Sequence, residues 1–466
     1  MHTKSINRVL NFVVIVALAL SWLSVTSAAT TAAPPAHAAQ MLPVESLLNS
    51  DGTLNTRTGA SGALDLRGWN VTLDSAHGPI LTRDAPAAPN ADIWSPLANH
   101  GLTGNSTLSH VSAIAVVGSD LYVGGNFTQT YDGSVTNLNH IARYSGGTWS
   151  PLANHGLTGN NSYSYVSALA VIGSDLYVGG NFTQTYDGSV TNLNHTARYS
   201  GGTWSALANH GLDGYVGALA VSGSDLYVGD QFTQTADGTV KHLGNIARYT
   251  SGGTWSAFAN NGLNNAVYAL AVMGSDLYVG GIFTQTIDGT VKHLNDIARY
   301  SGGTWSPLAN NGLGNYVYAL AVIGSDLYVG GIFDKTNDGA VTNLNHIAKY
   351  SGGAWSGLAN NGLNSNVQAL AVIGSDLYVG GSFTKTKNET VNLNYMAKYS
   401  GGTWSPLANN GLNGVVFALA VSGSDLYAGG AFSQTNDGTV TNLNYIAKLG
   451  IPAALDHLCY LPLVTR

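Results

Sequence analysis

The sequence predicts an all-β chain closed into a ring of seven four-stranded sheets, and three observations carry that prediction. The string GSDLYVGGNFTQT stands at 118–130 and again, unchanged, at 173–185, with near-copies down to GSDLYAGGAFSQT at 423–435. Its aspartate recurs at Asp120, Asp175, Asp225, Asp276, Asp326, Asp376 and Asp425, giving gaps of 55, 50, 51, 50, 50 and 49 residues, a period typical of radially repeated β-sheets. Only 9% of the residues are charged while 59 are glycine, which suits strands joined by tight turns better than solvated helices.

Each repeat divides into four pieces, and residues 166–213 show them. VSALAVIG is mostly apolar, as an inner strand buried on both faces requires. DLYVGGNFTQT alternates and carries a Gly-Gly pair that marks a bulge or a close backbone approach. After the Asp187-Gly188 turn, VTNLNHTARY runs back as a third strand, and SGGTWSALANHGL turns on Gly-Gly into a fourth that bears tryptophan.

The Trp-Ser element falls at Trp94, Trp149, Trp204, Trp255, Trp305, Trp355 and Trp404, so the array opens on a fourth-strand piece and ends at NYIAKLG without one. The segment around Trp94 is therefore expected to complete the last sheet and leave no open edge. The result is a seven-bladed β-propeller over residues 91–449. The alternative is an eight-bladed ring that recruits residues 63–83 as a partial blade.

Outside the repeats, Lys4 and Arg8 precede an apolar run from Leu10 to Leu23 followed by small residues. Residues 1–39 thus read as a signal peptide and linker that send the rest out of the cytoplasm, secreted or displayed at the cell surface. Residues 40–90 form an extension with an expected β-hairpin, and 450–466 a C-terminal tail. No membrane span is expected beyond the leader. The single cysteine, Cys459, makes no intrachain bridge, so stability must come from repetition and packing. A formal charge of −7 without any Lys/Arg run excludes an electrostatic footprint for nucleic acid.

The LYVGG, IARY and GGTW pieces resemble the Gly-Gly, Tyr, Trp progression of kelch repeats in the galactose-oxidase/kelch-type propeller superfamily. With VxALAV, LYVGGxFT and IARYxGGxWSxL they are closer still to the kelch-like repeats of secreted and surface propellers, including the Rax2-type cell-polarity markers of fungi. The spacing departs from ordinary kelch, because only four residues separate Tyr144 from Trp149. The resemblance implies fold far more than activity. Galactose-oxidase chemistry would need a cross-linked Tyr-Cys pair, whereas Cys459 lies beyond the last repeat.

Residues repeated in every blade read as framework. The seven aspartates should accept hydrogen bonds in a turn near Arg143, Arg198, Arg248, Arg299, Lys349, Lys398 and Lys448, and the tryptophans should pack blade on blade. The Asp-Gly turns lack the alternating carboxylates of a calcium loop. No nucleophile elbow, zinc-hydrolase or phosphate-loop motif occurs. The histidines at 100, 155 and 210 and at 140, 195 and 346 read as solvated turn residues. No cofactor or metal is expected, and the chain reads as a non-enzymatic monomer.

The copies differ most where the fourth strand passes to the next inner strand, so these loops should cluster at one channel mouth. They bring together Tyr163, Tyr165, Tyr215, Tyr268, Tyr316, Tyr318 and Phe417, with His110, Asn366 and Gln368 between them. Aromatic faces beside amides and hydroxyls suit a glycan, a peptide or another envelope ligand. The bland reading is that they plug the channel. Two other functions stay open: a carbohydrate-active enzyme built on an unrepeated acid, Asp213 or Asp230, and a passive structural or adhesive surface protein.

Overall fold

The computed structural model describes residues 92–451, apart from 105–108 and 160–163, together with pieces of the segment 41–83. The leader, the tail beyond Ile451 with Cys459, and Tyr163 lie outside the described residues. The repeats form seven four-stranded antiparallel sheets, each running in chain order from an inner to an outer strand. The inner strands are His110–Val117, Tyr165–Ile172, Val216–Ser222, Val267–Met273, Val317–Ile323, Val367–Ile373 and Val415–Ser422, and they number the blades one to seven. Blade seven takes its outer strand from the front of the chain: Ile93–Pro96 pairs with Ile446–Gly450, placing Trp94 opposite Leu449.

The hydrophobic core lies between blades rather than within them. A typical cluster joins Val166, Leu176, Val178, Phe182 and Trp204 of blade two to Ala115 and Ile141 of blade one. Three contacts set that interface, the first two repeated seven times and the third six. Each indole N–H donates to an alanine carbonyl on the preceding blade, as Trp149 does to Ala98 at 3.0 Å and Trp94 to Ala408 at 3.1 Å. The first glycine of each Gly-Gly pair faces the first valine of the next inner strand, and a Cβ on Gly124, Gly179 or Gly429 would overlap Cγ1 of Val166, Val216 or Val111. On the outside, Asn99 reaches from the end of blade seven to Asp132 of blade one at 3.1 Å, and Asn154 repeats this with Asp187.

The third strand is shorter than its sequence implied. In blade two it covers only Thr196–Ser200, although VTNLNHTARY was expected to be extended throughout. The reason is local: Asn192, Asn194 and His195 sit at positive φ, fold the stretch into a loop, and drive Leu193 into the core. The Asp-Gly turns behave as turn chemistry. Asp132 accepts from the Thr130 hydroxyl and from the Ser134 amide and hydroxyl, which holds its carboxyl far below the ordinary range.

Every Gly-Ser-Asp aspartate is paired with the basic residue of the third strand, as Asp120 is with Arg143 at 2.5 Å and Asp326 with Lys349 at 2.5 Å. The segment before residue 87 belongs to a separate compact unit. There, Met41–Pro43 pairs in parallel with Ala63–Asp65, and Trp69–Asp74 forms an antiparallel hairpin with Gly78–Arg83. The ring closes at seven, so the eight-bladed alternative is corrected: the hairpin makes its own two-stranded sheet.

If Trp94 closes the ring, Trp94→Ala should destabilise the protein as strongly as Trp204→Ala in an interior blade, each by about 3–5 kcal/mol. Urea denaturation measures both, and a silent Trp94→Ala would contradict the closure.

Candidate functional site

All seven inner strands share one irregularity. Their register with the second strand shifts between the first valine and the following alanine, Val111/Ala113 in blade one and Val317/Ala319 in blade five, so the residue between is the extra one of a β-bulge. These extra residues are Ser112, Ser167, Gly217, Tyr268, Tyr318, Gln368 and Phe417, and together they form the outermost ring of the central channel. Rings of alanine and of leucine or isoleucine lie deeper, from Ala113 and Ile114 to Ala418 and Leu419. The bulge thus re-aims one side chain per blade into the channel, in the part of the repeat that varies most.

The structure sorts the expected site residues into two sets. Tyr268, Tyr318, Gln368 and Phe417 line the channel. Of these, Tyr268, Tyr318 and Gln368, with Asn366 and Gly217, wall a cavity of 300 Å³, and the rings of Tyr268 and Tyr318 lie 5.7 Å apart. His110, Tyr165, Tyr215 and Tyr316 stand one position earlier, ahead of the valine. His110 meets Phe417 edge-on at 5.3 Å, and Tyr316 meets Tyr318 at 6.5 Å. Tyr215 does not join the channel cluster. It packs on His195 at 5.5 Å and lines a separate recess of 380 Å³ with Asn181, Thr183, Asp213 and Gln231. Sequence reasoning missed Gly217, Asn181 and Gln231; the signal for Gly217 was departure from the larger residues of the other blades rather than aromatic character.

Blade three departs from the consensus at the mouth itself. In the other six blades the second glycine of the Gly-Gly pair lies so close to the neighbouring strand that a Cβ would collide with a backbone carbonyl, as Gly125 with that of His110. Blade three places Asp230 there, at φ 150°, a conformation that favours glycine. Gly217, the only bulge residue without a side chain, makes room: a Cβ on it would lie 2.6 Å from Asp230 Oδ2. Asp230 Oδ1 is buried with no hydrogen-bond partner, and burial pushes the carboxyl up to about 7 against a smaller opposing contribution from Gln231. Burial first, and the Asp230 charge second, raise the pKa of both Tyr165 and Tyr268, which places the carboxyl within electrostatic reach of both phenols.

Asp213, another unrepeated acid, is committed to the frame. It accepts from the Thr233 amide at 2.8 Å, the Thr233 hydroxyl at 2.8 Å and the Gln234 amide at 3.2 Å, the role that Asn264 plays toward Thr284 and Gln285 one blade on. The histidines need a correction. His100, His155 and His210 are exposed turn residues, but His140, His195 and His346 are half-buried. Positive φ at the start of the third strand turns these rings inward, and burial lowers all three pKa values, that of His140 to about 4. Among the described residues, no three His, Cys, Asp or Glu side chains are grouped to hold a metal ion.

No protein-family model matches the chain. A stretch of 107 residues, 22% of the chain, is 36% identical to the polarized growth protein rax2 of Schizosaccharomyces pombe, and covers 8% of that much longer protein. Among solved structures, the extracellular domain of a hybrid two-component system of B. thetaiotaomicron aligns over 77% of this chain and 39% of its own, at 14% identity and TM-score 0.46. Virginiamycin B lyase of Staphylococcus aureus aligns over 77% of this chain and 99% of its own, at 13% identity and TM-score 0.45. These scores add nothing to the strand pairing. The sheets themselves define a seven-bladed β-propeller.

The Asp230 shift has a direct consequence for stability. Its folded pKa, about 7, lies above the unfolded value of 3.8, so ionisation in the folded state carries a penalty that is absent below pH 4 and complete above pH 7. Asp230→Asn should therefore stabilise the protein at pH 8 by roughly 2–4 kcal/mol, with the gain vanishing near pH 4. Urea denaturation of both proteins across that range decides it. Asp296, also raised by burial to about 7, is present in both and cancels in the difference.

Proposed function

We propose that the chain is an exported, non-enzymatic binding scaffold that takes its ligand at the channel mouth by stacking and hydrogen bonding. One observation carries the reading: the sevenfold frame is broken at the mouth, where Tyr268, Tyr318, Asn366 and Gln368 wall an open cavity beside Asp230. A plug would fill that space with side chains, whereas here two phenols and two amides border a void large enough for a sugar ring or a peptide side chain. The basic and apolar leader at 4–23 supports export, and the partial likeness to rax2 supports kinship with kelch-like surface propellers. Glycan, envelope and protein ligands share this chemistry, and the mouth's amide and phenol groups favour a glycan.

The carbohydrate-active alternative calls for two carboxylates placed across the scissile bond. Asp213 is bound into its turn, which takes it out of any carboxylate pair with Asp230. A passive surface element would leave the mouth without ligand selectivity. Residues 40–466 applied to a broad glycan array, beside a Tyr268→Ala/Tyr318→Ala variant, separate these readings. Selective binding that the variant loses by tenfold or more is the expected result. Attachment without selectivity, or selectivity that survives in the variant, would remove the mouth from the function.

A further inference from the structure

The chain spends six of its seven second-glycine positions on glycine and one on a strained, buried aspartate. A structural role does not account for the exception, because the other blades pack equally well without a side chain there. The seven turn aspartates of the framework all have basic partners, and the Asp-Gly turn aspartates are held by hydroxyls and amides. Asp230 has neither. Oδ1 is buried without a hydrogen-bond partner, Oδ2 occupies the space beside Gly217, which itself walls the cavity, and no Lys or Arg contributes to the electrostatic surroundings of the carboxyl.

We propose that Asp230 is the anchor for the free ammonium group of an amino sugar, whose ring lies in the cavity beside Tyr268. This rests on the reading of the mouth as a binding site and names its ligand. A buried carboxyl without a cation is costly to ionise, and a neutral ligand would leave that cost in place. An ammonium supplies the missing charge. The phenols of Tyr165 and Tyr268 lie within electrostatic reach of the carboxyl, so a cation drawn to Asp230 comes near two aromatic side chains. Gln368 and Asn366 across the cavity offer the amide donors and acceptors that ring hydroxyls use. Because burial holds the carboxyl near neutrality, with a pKa of about 7, the arriving cation shifts it to the charged form and fixes the pair. The glycine at 217 is the steric half of the device, since a side chain there would occupy the place of Oδ2.

The test uses residues 40–466, with glucosamine, N-acetylglucosamine and Nα-acetyl-lysine amide as probes, read by tyrosine fluorescence and calorimetry up to roughly 10 mM ligand. Asp230→Asn keeps the shape and removes the charge, and its thermal midpoint should equal or exceed that of the parent. The expected result is saturable binding of glucosamine, at least tenfold weaker in Asp230→Asn, and no binding of N-acetylglucosamine. Equal glucosamine binding by Asp230→Asn, or by the acetylated sugar, overturns the ammonium anchor. Nα-acetyl-lysine amide binding as tightly as glucosamine overturns the sugar and assigns a peptide amine instead. No saturable binding of glucosamine also overturns the proposal. The Tyr268→Ala/Tyr318→Ala variant separates the two levels: array binding that it loses and Asp230→Asn retains leaves the mouth as the binding site and sinks only the amine.

Discussion

Everything in this molecule depends on the close approach of a valine on one inner strand to a backbone position without a Cβ on the blade before it. A Cβ on the first glycine of each Gly-Gly pair would overlap that valine in all seven interfaces, from Gly124 against Val166 round to Gly429 against Val111. The approach fixes how tightly neighbouring inner strands crowd the axis. The tryptophan indoles, each bonded to an alanine carbonyl of the preceding blade, fix the spacing farther out. With both radii set by the same residues in every copy, the number of blades follows from geometry. Since the core lies between blades, no blade buries its own apolar surface alone, and the last interface must be made by the front of the chain.

The same constraint decides where function can reside. A side chain that serves an interface is held constant by the interface, which removes the tryptophans and the first glycines from consideration, and the Asp–Arg and Asp–Lys pairs are fixed in the same way within each blade. These surface ion pairs contribute little to stability individually, and in each the acid and the base offset one another's charge. The bulge residue escapes the constraint because the bulge takes it out of the ladder, and the one before the valine lies at or beyond the end of the ladder. They vary for that reason, and they share one mouth.

The fold was largely legible in the sequence because repetition multiplies weak signals. One GSDLYVGG string says little, whereas seven at a near-constant period specify sheets, count and closure, down to Trp94 crossing to blade seven. The third strand was overextended because Asn-rich stretches such as Thr191–His195 alternate on paper but adopt left-handed conformations in space. The site was legible only in part. Variation located the mouth and named Tyr268, Tyr318 and Gln368, but it could not tell the bulge residue from its neighbour, so Tyr215 was grouped with a cluster it does not join. The half-burial of His140, His195 and His346 depends on positive φ at the strand start, which residue type alone does not reveal.

Asp230 and Gly217 show why departures from a repeat carry more information than the repeat. Each alone would read as drift: an acid where glycine is usual, a glycine where larger residues are usual. In space they are one event, since the carboxyl fills the volume that the missing side chain vacates. A substitution that raises strain and buries an unpartnered charge is tolerated only where the protein gains elsewhere. The opposite end of the strands holds seven aspartates, all partnered. The mouth therefore holds a carboxyl without a basic partner within electrostatic reach of two phenols, which gives it an electrostatic reason to prefer one ligand over another.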